Sequence, residues 1–244
     1  MSIAMKIKLK LFKLANKLFE HYHFIYKPLY FFYKKISDRQ KITLFKNIIK
    51  PGMRVLDLGA NIGFYTVLFS KLVGANGKVF TFEPDAQNYE HLEENTKTLY
   101  NVTIEKKAVS DKTGKINLYI SKDLNVDHQS YDIGEGRDYE EADAIALDDY
   151  FLDNVKIDFI KIDIQGYEPV ALKGMSKIIR QPGKMTVFGE LWPYGLQKAG
   201  SSAEEYLQFL KKHGFKIKFF EDEIDYNEKI KDKDFYTDFI AYKD

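Results

Sequence analysis

Asp57 and Glu83 are the two acids around which a reaction could be built. Asp57 opens the turn "DLGANIG" at the end of one apolar burst, and Glu83 closes the next burst in "VFTFEP". In an open α/β sheet a ligand lies beyond the carboxyl ends of the strands, where the strand order reverses. An acid at the end of the second strand accepts hydrogen bonds from a ribose diol, so a nucleoside is expected there. A dinucleotide would set its pyrophosphate on the next helix N-terminus, and the G-x-G-x-x-G spacing that permits this is missing. Asp57 would repel a phosphate at that place and attract a cation such as the α-ammonium of an amino acid. A ribose and an ammonium without a phosphate point to S-adenosylmethionine.

What then remains is to align an acceptor atom and to take its proton. The candidate bases are Asp163, His128, Glu168 and Glu190. Asp163, closing the apolar run "FIKIDI", is the best placed, and a purely ligand-positioning role fits it equally well. His128 stands in a polar loop before an acidic run, where a solvated histidine is the plainer expectation. Trp192, Pro193 and Tyr194 follow a strand end, where they either stack on a sugar face or pack. A metal-assisted route needs a cluster of oxygen and nitrogen ligands. The adjacent Asp148 and Asp149 read more simply as first-turn acids of a helix, and the chain has no cysteine, so no metal is expected.

These residues must be held by alternating strands and helices. The pattern predicts strands over 55–58, 79–82 and 102–109, with helices over 64–73 and 86–99. "GKINLYI" alternates like an antiparallel strand, and "LNVDHQSYDIGEGRDYEEAD" reads as a polar loop. "FIKIDI" and "KMTVFGELW" are continuous apolar runs, as expected of strands buried on both faces of a parallel sheet. A helix is expected from about Pro169 and another over 203–213, and "FKIKFF" and "TDFIAYK" should form an antiparallel edge hairpin. The fold class is therefore α/β, a doubly wound, mostly parallel sheet with an antiparallel C-terminal hairpin.

The runs "VLDLGANIGFYT", "FEPDAQN", "KAVSDKTGKINLYI", "ALDDYF" and "KIDFIKIDIQGYEPVALKG", in this order, resemble the FkbM family of methyltransferases over roughly residues 52–191. The resemblance implies a Rossmann-like class I methyltransferase fold and S-adenosylmethionine-dependent O-methylation, often of a sugar or polyketide hydroxyl. It implies that Gly59, Ala60, Asn61 and Gly63 surround the methionine moiety, with Phe64, Tyr65 and Thr66 completing that motif beside Asp57. It further implies that Glu83 holds the ribose, that Pro84, Asp85 and Asn88 shape that wall, and that Ala108 and Val109 flank the adenine. Asp163 would lie near the sulfonium. The family commonly reads "DVEG" where this chain has Asp163-Ile164-Gln165-Gly166, and Gln165 cannot accept a proton. The "NPPY" type of motif that accompanies amide or amine methylation is absent, which ranks N-methylation below O-methylation.

The formal net charge of +1 hides an asymmetry. Residues 1–50 carry twelve Lys or Arg against two acids, and residues 51–244 carry 25 against 34. A basic arm, 1–50, thus precedes a mildly acidic methyltransferase domain, 51–244. In the arm, Ile7, Leu11, Leu14 and Leu18 share one helical stripe beside Phe12, Ala15, Phe19 and Tyr22. Such a helix either packs on the domain or rests on an anionic membrane surface. The opening residues are too broken by lysines for a signal peptide, and no run reaches the roughly 18–20 apolar residues of a spanning helix. A cytoplasmic chain, peripheral at most, is expected. An acidic body makes nucleic acid an unfavoured partner. Two alternatives stay open: a nucleic-acid methyltransferase relying on the arm, and a methyltransferase fold that binds or docks without turnover. The acceptor and the oligomeric state are not legible.

Overall fold

The computed structural model describes residues 18–19, 21–121, 128–134, 136–152, 155–220, 226–229 and 231–244. Most of the stripe expected over residues 7–22 lies outside them. Two helices lead, α1 (His23–Ser37) and α2 (Arg39–Ile48), followed by β1 (Arg54–Leu58), α3 (Phe64–Val73), β2 (Lys78–Phe82), α4 (Ala86–Thr96) and β3 (Val102–Glu105). A small sheet follows, β4 (Ala108–Val109), β5 (Gly114–Tyr119) and β6 (Tyr139–Ile145), and then the single turn α5 (Leu147–Tyr150). The chain returns to the main sheet through β7 (Phe159–Ile162), α6 (Glu168–Lys173), α7 (Ser176–Ile179) and β8 (Met185–Leu191). It finishes with α8 (Pro193–Lys198), α9 (Ala203–Lys212), β9 (Lys216–Phe219), α10 (Tyr226–Lys229) and β10 (Thr237–Lys243).

The main sheet has seven strands in the order β3-β2-β1-β7-β8-β10-β9. The first five are parallel, and β10 runs antiparallel to both β8 and β9. From β1 the chain winds outward through β2 and β3, then restarts at β7 on the other side. The crevice beyond the ends of β1 and β7 is therefore the switch point where α/β sheets bind ligands.

Three expectations need correction. The strand expected over 102–109 breaks at Lys106 and Lys107, and β4 joins β6 in the second, three-stranded sheet. The end of the expected polar loop is strand β6. Its acids suit a strand because Lys115 on β5 lies 2.7 Å from Asp143 and 3.4 Å from Glu141, an opposite-charge cross-strand set. The helix expected to reach Leu99 stops at Thr96, whose hydroxyl turns back to the Leu92 carbonyl at 2.7 Å.

The two described helices of the arm pack on the sheet domain. Phe45 of α2 is fully buried and stacks edge-on against Tyr65, Phe69, Phe159 and Phe188, at centroid distances of 4.9–5.6 Å. Ile49 is buried beside it. Burying two such side chains contributes about 1.5–3 kcal/mol each. Helix α1 is anchored less deeply: Tyr26 is its buried residue, and the His23 ring stacks on His91 of α4 at 3.5 Å.

Candidate active site

Asp57 is the penultimate residue of β1 and has no exposed surface. One carboxylate oxygen accepts the Thr66 hydroxyl at 2.7 Å, and the other lies 3.3 Å from Nζ of Lys161 on β7. Lys161 is itself buried and donates to the Gly59 carbonyl at 2.9 Å. Burial works against its charge, but Asp57 and Asp163 outweigh burial and hold its pKa above the usual lysine value. Asp57 therefore neutralises a buried lysine that grips the turn, where the sequence suggested that it would meet a ligand ammonium directly. The turn lies hard against β7: a Cβ on Gly59, at φ +76°, would stand 2.0 Å from the Asp163 carbonyl oxygen. Only glycine fits there.

Glu83 lies at the end of β2, almost buried. One oxygen accepts the Asn61 backbone N–H at 2.7 Å and the other accepts that of Asp85 at 3.2 Å. Burial raises its pKa to about 7, with Asp85 adding to the rise and the Asn61 and Asp85 N–H groups opposing it. Asn61 adopts φ 51°, a left-handed turn that aims its N–H at Glu83. Asp85 caps α4 by accepting the Asn88 N–H at 2.8 Å, so these two residues build the wall behind Glu83, next to Pro84. Gly63 adopts φ +86° at the start of α3, and Ala60 is buried in the same loop. Ala108 and Val109 are buried in β4. Phe64 and Tyr65 turn away from this crevice towards the arm. Phe64 meets Phe31 at 5.2 Å, and the Tyr65 hydroxyl donates to Asp38, which also pairs with Lys34.

The neighbouring rim carries carboxylates from three adjacent strands. Asp163 follows β7, Glu190 lies on β8 one step from the Ile162–Gly189 pair, and Asp238 on β10 faces Glu190. Asp163 is one-third exposed and takes the Gln165 side-chain N–H at 3.1 Å. Asp238 is paired with Lys41 of α2 at 2.7 Å. Among the described residues no donor reaches the Glu190 carboxylate. Burial, then Asp163, Asp238 and Glu168, raise its pKa well above the ordinary glutamate value, and Lys41 offsets part of this. Glu168 is buried and spans the tight turn before α6, accepting the N–H groups of Ile164 and Gly166 at 3.0 and 3.2 Å. Beside this rim a cavity of about 180 Å³ is lined by Asp38, Lys41, Phe220, Tyr236 and Asp238 among others.

His128 is neither solvated nor at the rim. It packs against Asp85, with Nε2 3.8 Å from the carboxylate, and its Nδ1 accepts the Ser121 N–H at 3.1 Å. That bond puts the proton of a neutral ring on Nε2, which leaves no free lone pair for base catalysis. Trp192 is pinned too: its indole N–H donates to the Lys233 carbonyl at 2.9 Å, and its ring covers Gly195. Asp148 caps α7 by accepting the Lys177 N–H at 3.0 Å, and Asp149 accepts the Thr113 hydroxyl at 2.7 Å. Among the described residues no group of three or more potential ligands could hold a metal ion.

The sequence profile described as the Methyltransferase FkbM domain matches residues 57–217, from the acid of the first turn to β9. The chain belongs to the FkbM methyltransferase family. The FkbM methyltransferase from Methylobacillus flagellatus KT superposes with a TM-score of 0.50 at 16% identity, over 78% of this chain and 43% of that one. The chain thus spans less than half of that protein's length. A SAM-dependent O-methyltransferase from Thermotoga maritima (TM-score 0.50, 15% identity) is covered over 64% of its length by 84% of this chain. Fibrillarin from Aeropyrum pernix with natively bound S-adenosyl-L-methionine (TM-score 0.50, 13% identity) is covered over 74% of its length by 84% of this chain. At these identities the likeness is one of fold, the class I methyltransferase fold. No curated protein matches the sequence significantly.

The FkbM family is S-adenosylmethionine-dependent, and the residues present fit that cofactor. Glu83 accepts the Asn61 and Asp85 N–H groups and a hydrogen bond from the Asn88 side chain, and its remaining lone pair is left for a ribose hydroxyl. The close approach of Gly59 to β7 leaves the turn without a side chain over the crevice. Two residues beside this rim were missed in the sequence. Lys161 had a signal, a lone cation inside an apolar strand. Lys41 had none, since only the fold brings α2 to β10.

Proposed function

We propose that this FkbM-family methyltransferase methylates a hydroxyl oxygen of a glycan or another hydroxylated small molecule, with Glu190 as the base and Asp163 positioning the acceptor. The cofactor supplies a methyl group activated by positive sulfur. The observation that carries the reading is Glu190 itself, a carboxylate without a donor at the rim beside Asp163, with a raised proton affinity. Proton transfer to a positioned base contributes about 10²–10⁴-fold. Glu190 would take the proton of the acceptor hydroxyl, and the methyl group that the bound cofactor would supply would leave its sulfur for that oxygen, with S-adenosylhomocysteine as the other product. Asp163, half-buried and tied to Gln165, can accept a second hydroxyl hydrogen bond and so fix the angle of attack. A glycan suits the adjoining cavity, where Asp38, Lys41 and Asp238 offer polar partners and Tyr236 and Phe220 offer ring faces.

The test is a panel of sugars, lipid-linked glycans and polyketide alcohols with labelled cofactor, run on wild type and Glu190→Gln. Glu190→Gln should lower kcat by about 10²–10⁴-fold and leave S-adenosylhomocysteine affinity unchanged. Undiminished turnover by Glu190→Gln would remove the base. Methylation of amines but no alcohol would remove O-methylation. Turnover is expected to survive EDTA.

A further inference from the structure

The outer surface of α1 is unusually apolar for an exposed helix. Leu29, Phe32, Tyr33 and Ile36 are 56–65% exposed, and Ile25 extends the stripe towards the N-terminus. Their spacing of four, three, one and three puts them on one arc of the helix. Next to that arc, between α1, α2 and α3, runs a groove of about 440 Å³. Its floor is Phe31, Ile42, Phe64, Val67 and Leu68. Its rim is four cations, Lys35, Arg39, Lys46 and Lys71. None of the four makes an ion pair among the described residues, whereas the other cations of the helix pair that face the domain, Lys34 and Lys41, are bound to Asp38 and Asp238.

An apolar floor under an uncompensated cationic rim fits an amphiphile with an anionic head. We infer that α1 and α2 form a docking face for an anionic lipid bilayer, with the α1 stripe inserted at the interface and the groove seating an acyl chain beneath its headgroup. The charge complementarity is specific to this end of the molecule: residues 21–50 hold seven Lys or Arg and a single acid, while the body beyond residue 50 carries a surplus of acids. An interfacial helix of this kind buries its apolar arc a few ångströms into the headgroup boundary and uses basic residues to hold anionic lipid. Among the described residues no helix is long and apolar enough to cross a membrane, so the contact is a surface one. The same two helices supply Asp38 and Lys41 to the acceptor-side cavity, so docking would set that cavity near the lipid.

Flotation of the full-length chain with vesicles tests this. The wild type should bind phosphatidylglycerol-containing vesicles, not pure phosphatidylcholine, and high salt should weaken the binding because the surface potential is screened. Lys35→Glu with Arg39→Glu, and separately Phe32→Ser with Ile36→Ser, should each reduce partitioning on the order of tenfold or more. Both double variants should bind S-adenosylhomocysteine as the wild type does, which excludes misfolding as the cause. Absence of flotation at low salt, equal binding to both vesicle types, or wild-type flotation by both variants would overturn the inference. So would a wild-type dimer that Phe32→Ser with Ile36→Ser dissolves, since the stripe would then belong to a second copy.

Discussion

The contact between Asp57 and Lys161 is the kind of buried pair whose value lies in its completeness. Removing one partner strands a buried charge beside Thr66 and the Tyr65 ring, whereas replacing both with neutral groups can be nearly neutral. Lys161→Met should therefore cost about 3–5 kcal/mol, and adding Asp57→Asn should recover much of the loss. Urea unfolding of the two variants reads this directly, and equal instability of both would show that Lys161 acts through its carbonyl contacts alone. Glu83 makes a different prediction. Its carboxyl is pushed up to about 7 by burial, and ribose hydroxyls donate best to the ionised form. S-adenosylhomocysteine affinity should strengthen as pH rises through about 7, and Glu83→Gln should flatten that dependence in calorimetry at pH values on either side. The positions of Asp57, Glu83 and Asp163 at strand ends were legible from the apolar runs they close, but the buried partner of Asp57 was not. Lys161 was harder to read, since a lysine within an apolar strand makes sense only once Asp57 lies opposite it.

Among the elements, those with a single periodicity were legible. Helix α3, strand β10 and the apolar β7 and β8 follow their patterns to within two residues. The two misread strands share a cause: a segment whose partners are distant in sequence. β6 reads as an acidic loop until Lys115 is placed across from it, and β4 reads as part of β3 until β6 takes it into another sheet. Helix α1 carries a further prediction. Burial and the stacked His91 ring lower the His23 pKa to about 4, from an unfolded value of 6.5. A histidine with a depressed pKa contributes stability above its unfolded value and loses it as pH falls through the folded one. Backbone amides of α1 should exchange faster with solvent as pH drops from 6.5 towards 4, after correction for intrinsic exchange. His23→Phe, which keeps a ring against His91, should weaken that dependence and leave the part owed to the buried His91. A wild-type α1 with constant protection would mean that Tyr26 and the α2 contacts hold it alone.

For the whole molecule, the sheet order that sites the crevice also constrains how the chain is made. β10 comes after β9 in sequence but lies between β8 and β9, where Phe239 and Ala241 are fully buried. During synthesis β8 is available long before its neighbour. Until the ribosome has passed Lys243, β8 offers a bare edge of unpaired N–H and C=O groups, and β9 has no strand to join. Such edges invite pairing between nascent chains. The acids and lysines beside this seam, Asp238 with Lys41 among them, would then discourage the wrong partner while the right one is still being translated. A chain stopped after Tyr236 should be made as aggregate, and the same chain continued through Lys243 should be soluble, as centrifugation of freshly translated product would register. In this sheet β10 is a closing stitch, and the carboxylate pair of Glu190 and Asp238 exists only after it is drawn through.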